Sequence, residues 1–217
     1  MEPYQATLFR ELGTAGVSYV LCGGLAIVLH GLHRFTADID LAVALDAENL
    51  HRFIEVASRL GYRPRAPVPA ADLIDPANRR HWQKEKGAVV FTFVDPNLPY
   101  RQIDVFLDDP LPYEELQAQS TLQQGEGYTV RIASLEHLRL MTEDPVPATA
   151  GRFGHPDVGE EAGREREPMN EPDWTSDVRQ EEWSLEMIFQ WLEETAAFLY
   201  QIRQNSRSAD ERRPAPE

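Results

Sequence analysis

The 217-residue chain has 36 acidic and 21 basic residues, a formal net charge of −15, and 42% hydrophobic residues. This composition is typical of a globular protein with a proper core, and its acidity argues against non-specific nucleic-acid binding, which needs a basic surface. The single cysteine, Cys22, excludes an intrachain disulfide, and no apolar run approaches the ~18 residues of a membrane-spanning helix. We therefore expect a cytoplasmic protein with no membrane contact.

The first sixty residues alternate between helical and strand patterns. They predict, in chain order, a helix over 3–13, a strand over 17–22, a short helix after a Gly-Gly turn, a strand near 37–44, and a helix over 47–60 that Asp46 caps and Gly61 ends. The next eighty predict a loop with a short helix over 62–80, strands over 88–94 and 100–107, a one- or two-turn helix, a strand at "YTVRIA", and a helix at "SLEHLRLM" that Ser134 caps. Together they indicate an α/β (α+β) protein with a small mixed sheet flanked by helices.

Composition divides the chain into one folded domain and a C-terminal extension. We expect a domain over 1–141, a linker rich in acids, Pro and Gly over 142–181, an amphipathic helix over 182–204, and a polar tail over 205–217. Residues 142–182 hold 12 acidic and 4 basic side chains, a net charge of −8, so more than half of the chain's net charge of −15 belongs to this segment. The apolar stripe of the last helix must pack on the main domain or on a second copy of the chain, which leaves a homodimer open.

Three acids stand on the polar faces of two predicted strands. Asp38 and Asp40 alternate with Ile39 and Leu41, and Asp104 occupies the same kind of position in "RQIDVFL". Strand alternation places Asp38 and Asp40 side by side, roughly 6.5–7 Å apart at their Cα atoms. Exposed acids on a half-solvated sheet are the simpler explanation for one of them, but three are costly unless a cation pairs them. Two Mg²⁺ ions about 3.5–4 Å apart would fit such a set.

Gly23 and Gly24 lie between a predicted strand and a predicted helix. Glycines there let the backbone approach a phosphate, and the first N–H groups of the helix can bind it. A Gly-Gly pair alone more often makes a tight turn. About fifteen residues before two strand acids, the pair instead indicates a site for a metal-bound triphosphate.

The stretch "CGGLAIVLHGLHRFTADIDL", followed by "IDVFL", resembles the polymerase-β-like nucleotidyltransferase superfamily. The added "HG..R.T" pattern, and the stretch "FVDPNLPYRQIDVFLDDPLPYEEL", resemble a bacterial branch that includes the AbiEii-type toxin nucleotidyltransferases. The resemblance spans roughly 17–141 and implies a nucleotidyltransferase fold for the first domain.

The resemblance also implies roles for individual residues. Asp38 and Asp40 would bind Mg²⁺, which Mn²⁺ can replace, and Asp104 would complete a second metal site. Gly23 and Gly24 would hold the triphosphate of an NTP through their N–H groups. Arg34 and Thr36 match the added motif and are candidate nucleotide contacts, although a salt bridge to a nearby acid explains Arg34 equally well. His30 fits a packed core histidine better than a catalytic one.

The implied function is metal-dependent transfer of an NMP from an NTP to a hydroxyl. The acceptor is left open among an RNA end, a protein and a small molecule such as a drug. A toxin of a toxin–antitoxin pair, with an antitoxin as partner, is the first biological role, and an antibiotic-modifying enzyme is the second. An inactive nucleotide-binding or interaction protein is the alternative.

That alternative is based on a missing lysine. Relatives usually carry one at the end of the helix that "SLEHLRLM" matches, where this chain has Thr142 after Met141. The only two lysines of the sequence, Lys84 and Lys86, lie in a basic cluster around Trp82. This cluster either contacts the nucleotide or the acceptor, or it forms a solvated helix face with Trp82 half buried.

Overall fold

A mixed seven-stranded sheet organises the part of the chain that the computed structural model describes, residues 3–31, 36–143 and 183–210. The strands are β1 (Tyr19–Cys22), β2 (Asp38–Val43), β3 (Arg63–Pro64), β4 (Val90–Val94), β5 (Gln102–Phe106), β6 (Thr121–Gly125) and β7 (Tyr128–Ile132). The helices are α1 (Tyr4–Thr14), α2 (Gly23–Leu29), α3 (Ala47–Arg59), α4 (Pro76–Lys86), α5 (Tyr113–Ala118), α6 (Leu135–Glu143) and α7 (Leu185–Asp210), with a 3₁₀ helix at Ala70–Leu73.

The sheet has the order β3-β4-β5-β2-β1-β7-β6. β2 runs parallel to β5 and β1 parallel to β7, whereas the other neighbours are antiparallel. The predicted α/β class with a mixed sheet and flanking helices is therefore confirmed. The sequence did not predict the two edge strands, because β3 has only two residues and most of β6 is exposed, so neither shows an apolar alternation.

Capping residues fix the helix boundaries where the sequence placed them. The Asp46 carboxylate accepts a hydrogen bond from the N–H of Asn49 at 2.9 Å and begins α3. Gly61, with φ +90°, follows its last turn. The hydroxyl of Ser134 accepts from the N–H of His137 at 3.2 Å at the start of α6. Both predicted N-caps are confirmed.

Residues 62–80 depart from the prediction of a loop with one short helix. The 3₁₀ helix there is followed by α4, which has three turns. Asp75 caps α4 by accepting from the N–H of Ala77 at 2.7 Å, Pro76 takes the first helical position, and Gly87 ends the helix with φ +60°. These are ordinary start and stop residues, so the whole helix was readable from the sequence.

One face of the sheet carries the main apolar core. Ile39 and Leu41 on β2 pair in register with Ile103 and Val105 on β5, and all four are buried. Phe93 of β4 packs edge-on against Phe53 of α3, with ring centroids 5.5 Å apart. Because neighbouring strand residues face opposite sides, this packing directs the residues between them, the acids included, to the other face.

Helix α7 packs on the chain's own domain. Its buried side chains include Leu185, Ile188, Phe189 and Leu192, and the helix contacts α1 and β6. The ring of Phe189 lies 5.8 Å from that of Phe9 on α1. This stripe had left open a homodimer as well as packing on the main domain, so a second copy would have to use the exposed side chains that remain on α7.

Loss of the Phe189 ring is expected to destabilise the fold by about 3–5 kcal/mol, because Phe189→Ala leaves a cavity in a fully buried site. Phe198→Ala is the matched control: the same substitution on the same helix, at a residue 63% exposed, should change the free energy of unfolding by less than ~0.5 kcal/mol. Urea unfolding measures both. Equal losses would contradict the packing of α7 on α1.

Parts of the predicted domain organisation fall outside the described residues. Most of the predicted linker (144–181) and residues 211–217 of the predicted tail are among them. The backbone of α7 continues to Asp210, six residues past the predicted end of the helix. None of the helices in the described ranges is both long and apolar enough to cross a membrane.

Candidate active site

The three acids predicted from the sequence lie on two adjacent strands. β2 and β5 pair so that Asp40 stands directly opposite Asp104, and Asp38 directly opposite Gln102. Paired residues share a face, so the three carboxylates lie on the same side of the sheet, with Asp40 and Asp104 about 4.8 Å apart at the backbone. Asp104 is fully buried, whereas Asp38 and Asp40 are partly exposed. The three acids therefore extend from the buried interior, at Asp104, to a partly exposed region, at Asp38 and Asp40.

Polar neighbours that the sequence did not single out hold two of these carboxylates. The hydroxyl of Thr92, opposite Asp104 on β4, donates to its Oδ1 at 2.6 Å. Nε2 of Gln102 donates to Oδ1 of Asp38 at 3.0 Å, and Oε1 of Gln102 accepts from Nη2 of Arg65. Gln102 was findable, since it is two residues before Asp104 on one strand. Thr92 was not, because its position depends on the β4–β5 register.

Gly23 and Gly24 are in close contact with the acid strand and the loop before it. Gly23 has φ +61°, and a Cβ there would lie 2.0 Å from Oδ2 of Asp40. A Cβ on Gly24 would lie 2.7 Å from Oγ1 of Thr36. Only glycine fits these positions, so the pair at the start of α2, Thr36 and Asp40 form one cluster. Arg34, the remaining predicted nucleotide contact, lies outside the described residues.

The donor set suits a hard divalent cation in part. Across the described ranges, no three His, Cys, Asp or Glu side chains are gathered as a ready metal site. Asp40 and Asp104 are paired across β2 and β5 and bring carboxylate oxygens to the same face, which is the ligand chemistry that Mg²⁺ prefers. Asp38 accepts from Gln102 through Oδ1, and since a carboxylate has two oxygens with several acceptor sites, this hydrogen bond is compatible with a metal contact. The residues therefore fit a metal bound between Asp40 and Asp104, which Asp38 can join.

Residues 7–138 match the sequence model of a known family, the nucleotidyl transferase AbiEii toxin of type IV toxin–antitoxin systems. The match covers more than half of the chain and includes all three acids, both glycines and Thr36. The chain belongs to the AbiEii family. It is accordingly a nucleotidyltransferase, and the resemblance stated from its motifs is confirmed.

Two solved structures are similar to this AbiEii-family chain. One is a Thermotoga maritima protein to which a nucleotidyltransferase function has been assigned, with 13% identity, a TM-score of 0.42, and 63% of this chain and 78% of that chain covered. The other is the lincosamide antibiotic adenylyltransferase LnuA with lincomycin bound, with 18% identity, a TM-score of 0.41, and 65% and 83% covered. No curated protein matches the sequence at a significant level.

The basic cluster on α4 of this AbiEii-family protein does not face the acids. The ring of Trp82 packs on Phe91 with centroids 5.2 Å apart, and Phe91 lies on the opposite face of β4 from Thr92. Arg79 is buried and donates to the carbonyls of Leu73 and Ile74 at 2.8 and 2.9 Å. The predicted solvated helix face is confirmed at Arg80, Lys84 and Lys86, which are exposed. Trp82 is buried and not half buried, because this side of α4 is packed into the core.

The histidine beside the glycine cluster has a structural contact. Nε2 of His30, the residue after α2, lies 2.8 Å from the carbonyl oxygen of Ala133, just after β7. This contact joins the end of α2 to the strand on the far side of β1. It agrees with the expectation of a packed histidine.

Cys22 is the buried neighbour of the acids on β1, directly opposite Asp40. Burial raises the pKa of its thiol to about 12; a hydrogen bond from the backbone of Ala42 opposes the shift, and the charge of Asp40 adds to it. The folded state therefore keeps the thiol neutral, and the thiol takes no part as a nucleophile near neutral pH.

The raised pKa of Cys22 predicts a loss of stability in alkali. An unfolded cysteine ionises near pH ~8.5, so the contribution of the neutral thiol is fully present below that pH and is lost as pH rises towards the folded pKa. Between pH 8.5 and 10, wild-type protein should lose up to ~1.4 kcal/mol per pH unit more than Cys22→Ala in urea unfolding. If wild type and Cys22→Ala lose stability equally as the pH rises, the thiol is not shielded by the fold and the prediction is contradicted.

Proposed function

We propose that this chain transfers a nucleoside monophosphate from an NTP to a hydroxyl acceptor, at the face of the sheet that carries Asp38, Asp40 and Asp104. The observation that carries the proposal is the register of β2 and β5, which sets Asp40 opposite Asp104. Two carboxylates held that close repel each other, and a fold gains from keeping them there when a cation binds between them.

The acids are assigned as ligands of divalent metal ions, Mg²⁺ or Mn²⁺, with two ions in the full site. When bound, the metal neutralises charge on the triphosphate and favours departure of pyrophosphate. Thr92 fixes Oδ1 of Asp104 and thereby orients that carboxylate within the buried site. Asp104 also accepts a proton from the attacking hydroxyl, and Asp38 completes the ligand set while Gln102 orients it through Oδ1.

Gly23 and Gly24 are assigned to the triphosphate through their backbone N–H groups. Asp40 occupies the space beside Gly23 that a side chain would fill, so a phosphate bound by these N–H groups would lie next to a metal ligand. Thr36, whose hydroxyl is close to Gly24, and Arg34 are assigned to the same phosphates.

The family supports a toxin role with an antitoxin as partner. The cytoplasm is assigned as the place of action from the sequence alone. The acceptor is an RNA end, a protein or a small molecule, and the assay below distinguishes the three. A homodimer through the remaining exposed side chains of α7 is compatible with any of them.

An inactive nucleotide-binding protein is the second candidate, favoured by the position of the lysines. Lys84 and Lys86 are the only two in the sequence, and both belong to α4, which packs its Trp82 on the face away from the acids. A lysine contact to the triphosphate is thus not available from the usual place.

Transfer of label from each of the four α-labelled NTPs tests the proposal. Wild-type protein and the Asp38→Ala/Asp40→Ala double variant are incubated with Mg²⁺ or Mn²⁺ and with total RNA, cellular protein or small-molecule acceptors. Label that depends on the acids would support the enzyme and name the nucleotide and the acceptor class. NTP binding without any transfer would support the inactive protein, and absence of both would refute the proposal.

A further inference from the structure

Glu193 of α7 joins two distant segments of the domain. Its Oε2 accepts from the N–H of Tyr4 at the start of α1, at 3.2 Å, and its Oε1 accepts from Nη2 of Arg101, just before β5. Glu193 and Arg101 are both largely shielded, with 19% and 20% of their side chains exposed. Both α7 and Tyr4 lie outside the 7–138 segment that matches the family. These contacts therefore connect residues outside the matched segment to Arg101 within it.

Tyr4 carries the connection from Glu193 to the first acid strand. Its hydroxyl donates to the carbonyl oxygen of Ala37 at 2.9 Å, and its ring lies under the guanidinium of Arg101, 5.0 Å from the centroid. Burial raises the pKa of the Tyr4 phenol, and nearby negative charges raise it further, so the hydroxyl remains a donor over the working pH range. Tyr4 thus contacts Ala37, the residue before Asp38, and Arg101, the residue before Gln102.

Both paths end one residue before a group of the proposed site. Ala37 precedes Asp38 at the start of β2, and Arg101 precedes Gln102 at the start of β5. Gln102 in turn donates to Asp38 at 3.0 Å. Glu193 therefore restrains the starts of the two parallel strands whose register sets Asp40 opposite Asp104.

We propose that Glu193, acting through Tyr4 and Arg101, is a positioning residue that fixes Asp38 and the β2–β5 register for metal binding. This inference rests on the proposed function. Apolar packing already attaches α7 to α1, and a shielded carboxylate is a costly way to add to that attachment. Its partner Arg101 precedes Gln102, and its partner Tyr4 contacts Ala37, which precedes Asp38. These contacts connect α7 to the acid site, which packing alone does not require.

Thermal unfolding with and without Mn²⁺ tests the inference on the full chain. A metal that binds the folded state raises the Tm by an amount that depends on its affinity, so a Mn²⁺ titration of the Tm yields that affinity for each variant. Glu193→Gln removes the charge that holds Arg101, and Tyr4→Phe removes only the hydroxyl that reaches Ala37. Glu194→Gln is the matched control, because Glu194 is exposed and its carboxylate contacts Gln190 of the same helix.

The expected result is a weakening of Mn²⁺ affinity by about three- to tenfold in Glu193→Gln and in Tyr4→Phe, with no change in Glu194→Gln. Loss of an outer contact of a metal ligand typically weakens binding 10–100-fold. The smaller effect is expected because Asp95 still lies 3.8 Å from Nη1 of Arg101. Because both variants act on one path, the double variant should lose less than the product of the two.

Two results would overturn the inference, and they are distinguishable. In the first, Glu193→Gln and Tyr4→Phe both lower the Tm measured without Mn²⁺ but bind Mn²⁺ with wild-type affinity. Glu193 then only attaches α7 to the domain and does not position the acids. If wild-type protein shows no Mn²⁺-dependent rise in Tm, the proposed metal site fails and the inference fails with it.

Discussion

Asp40→Asn is expected to reduce nucleotidyl transfer by at least ~10³-fold, about 4 kcal/mol of transition-state stabilisation. The substitution keeps the shape of the side chain and removes the charge at the point where β2 faces Asp104. With one anionic donor gone from the pair, divalent-metal binding should weaken together with transfer. Label transfer from an NTP measures the first effect and Mn²⁺ titration the second.

The same substitution is expected to leave the fold as stable as wild type, or more stable. Three like charges share one face of adjacent strands, so neutralising one relieves repulsion in the metal-free protein. Asp108→Asn is the matched control, since Asp108 is exposed just beyond the end of β5. Transfer should be unchanged in the control. Full activity in Asp40→Asn, or an equal loss in Asp108→Asn, would contradict the assignment of the site.

Gly23→Ala is expected to lower transfer by about 10²-fold or more, through displacement of Asp40. The new Cβ would lie 2.0 Å from Oδ2 of Asp40 and 2.8 Å from its Cβ, so rotation of the carboxylate alone cannot make room. A misplacement of about 1 Å in a reacting group can cost 10²-fold in rate. The same substitution also introduces a side chain at φ +61°, which costs about 1–2 kcal/mol of folding free energy.

Gly16→Ala separates the two effects of that change. Gly16 has nearly the same backbone angle, φ +64°, and a Cβ there has no neighbour within 4 Å. This control should lose the ~1–2 kcal/mol of stability and keep wild-type transfer and Mn²⁺ affinity. If Gly23→Ala behaves like Gly16→Ala in both assays, the close approach of Asp40 to the glycine turn has no part in the reaction.

Local pattern was enough to find the elements that carry the candidate site. The alternation of Ile39 and Leu41 with Asp38 and Asp40 fixed the strand and its faces, and the same parity placed Asp104. Capping chemistry at Asp46 and Ser134 set two helix starts. These features depend on residues within one or two turns of the chain, and so they are legible without knowledge of the fold.

Contacts between distant segments were not predictable from the same patterns. The hydrogen bond from Thr92 to Asp104 depends on the β4–β5 register, and that from Gln102 to Asp38 on the β2–β5 register. Glu193 reads as one of several acids on an amphipathic helix, although it reaches Tyr4, 189 positions away in sequence. Such contacts follow from strand order and helix docking, which no local period specifies.

A crystal structure of the protein grown with Mn²⁺ and an NTP analogue that resists transfer would test the central claim most directly. Anomalous scattering locates manganese without reference to the protein density. Our account predicts manganese in direct contact with Asp40 and Asp104, with the triphosphate beside Gly23 and Gly24. Manganese and nucleotide bound elsewhere, with Asp40 and Asp104 making no contact to either, would contradict it.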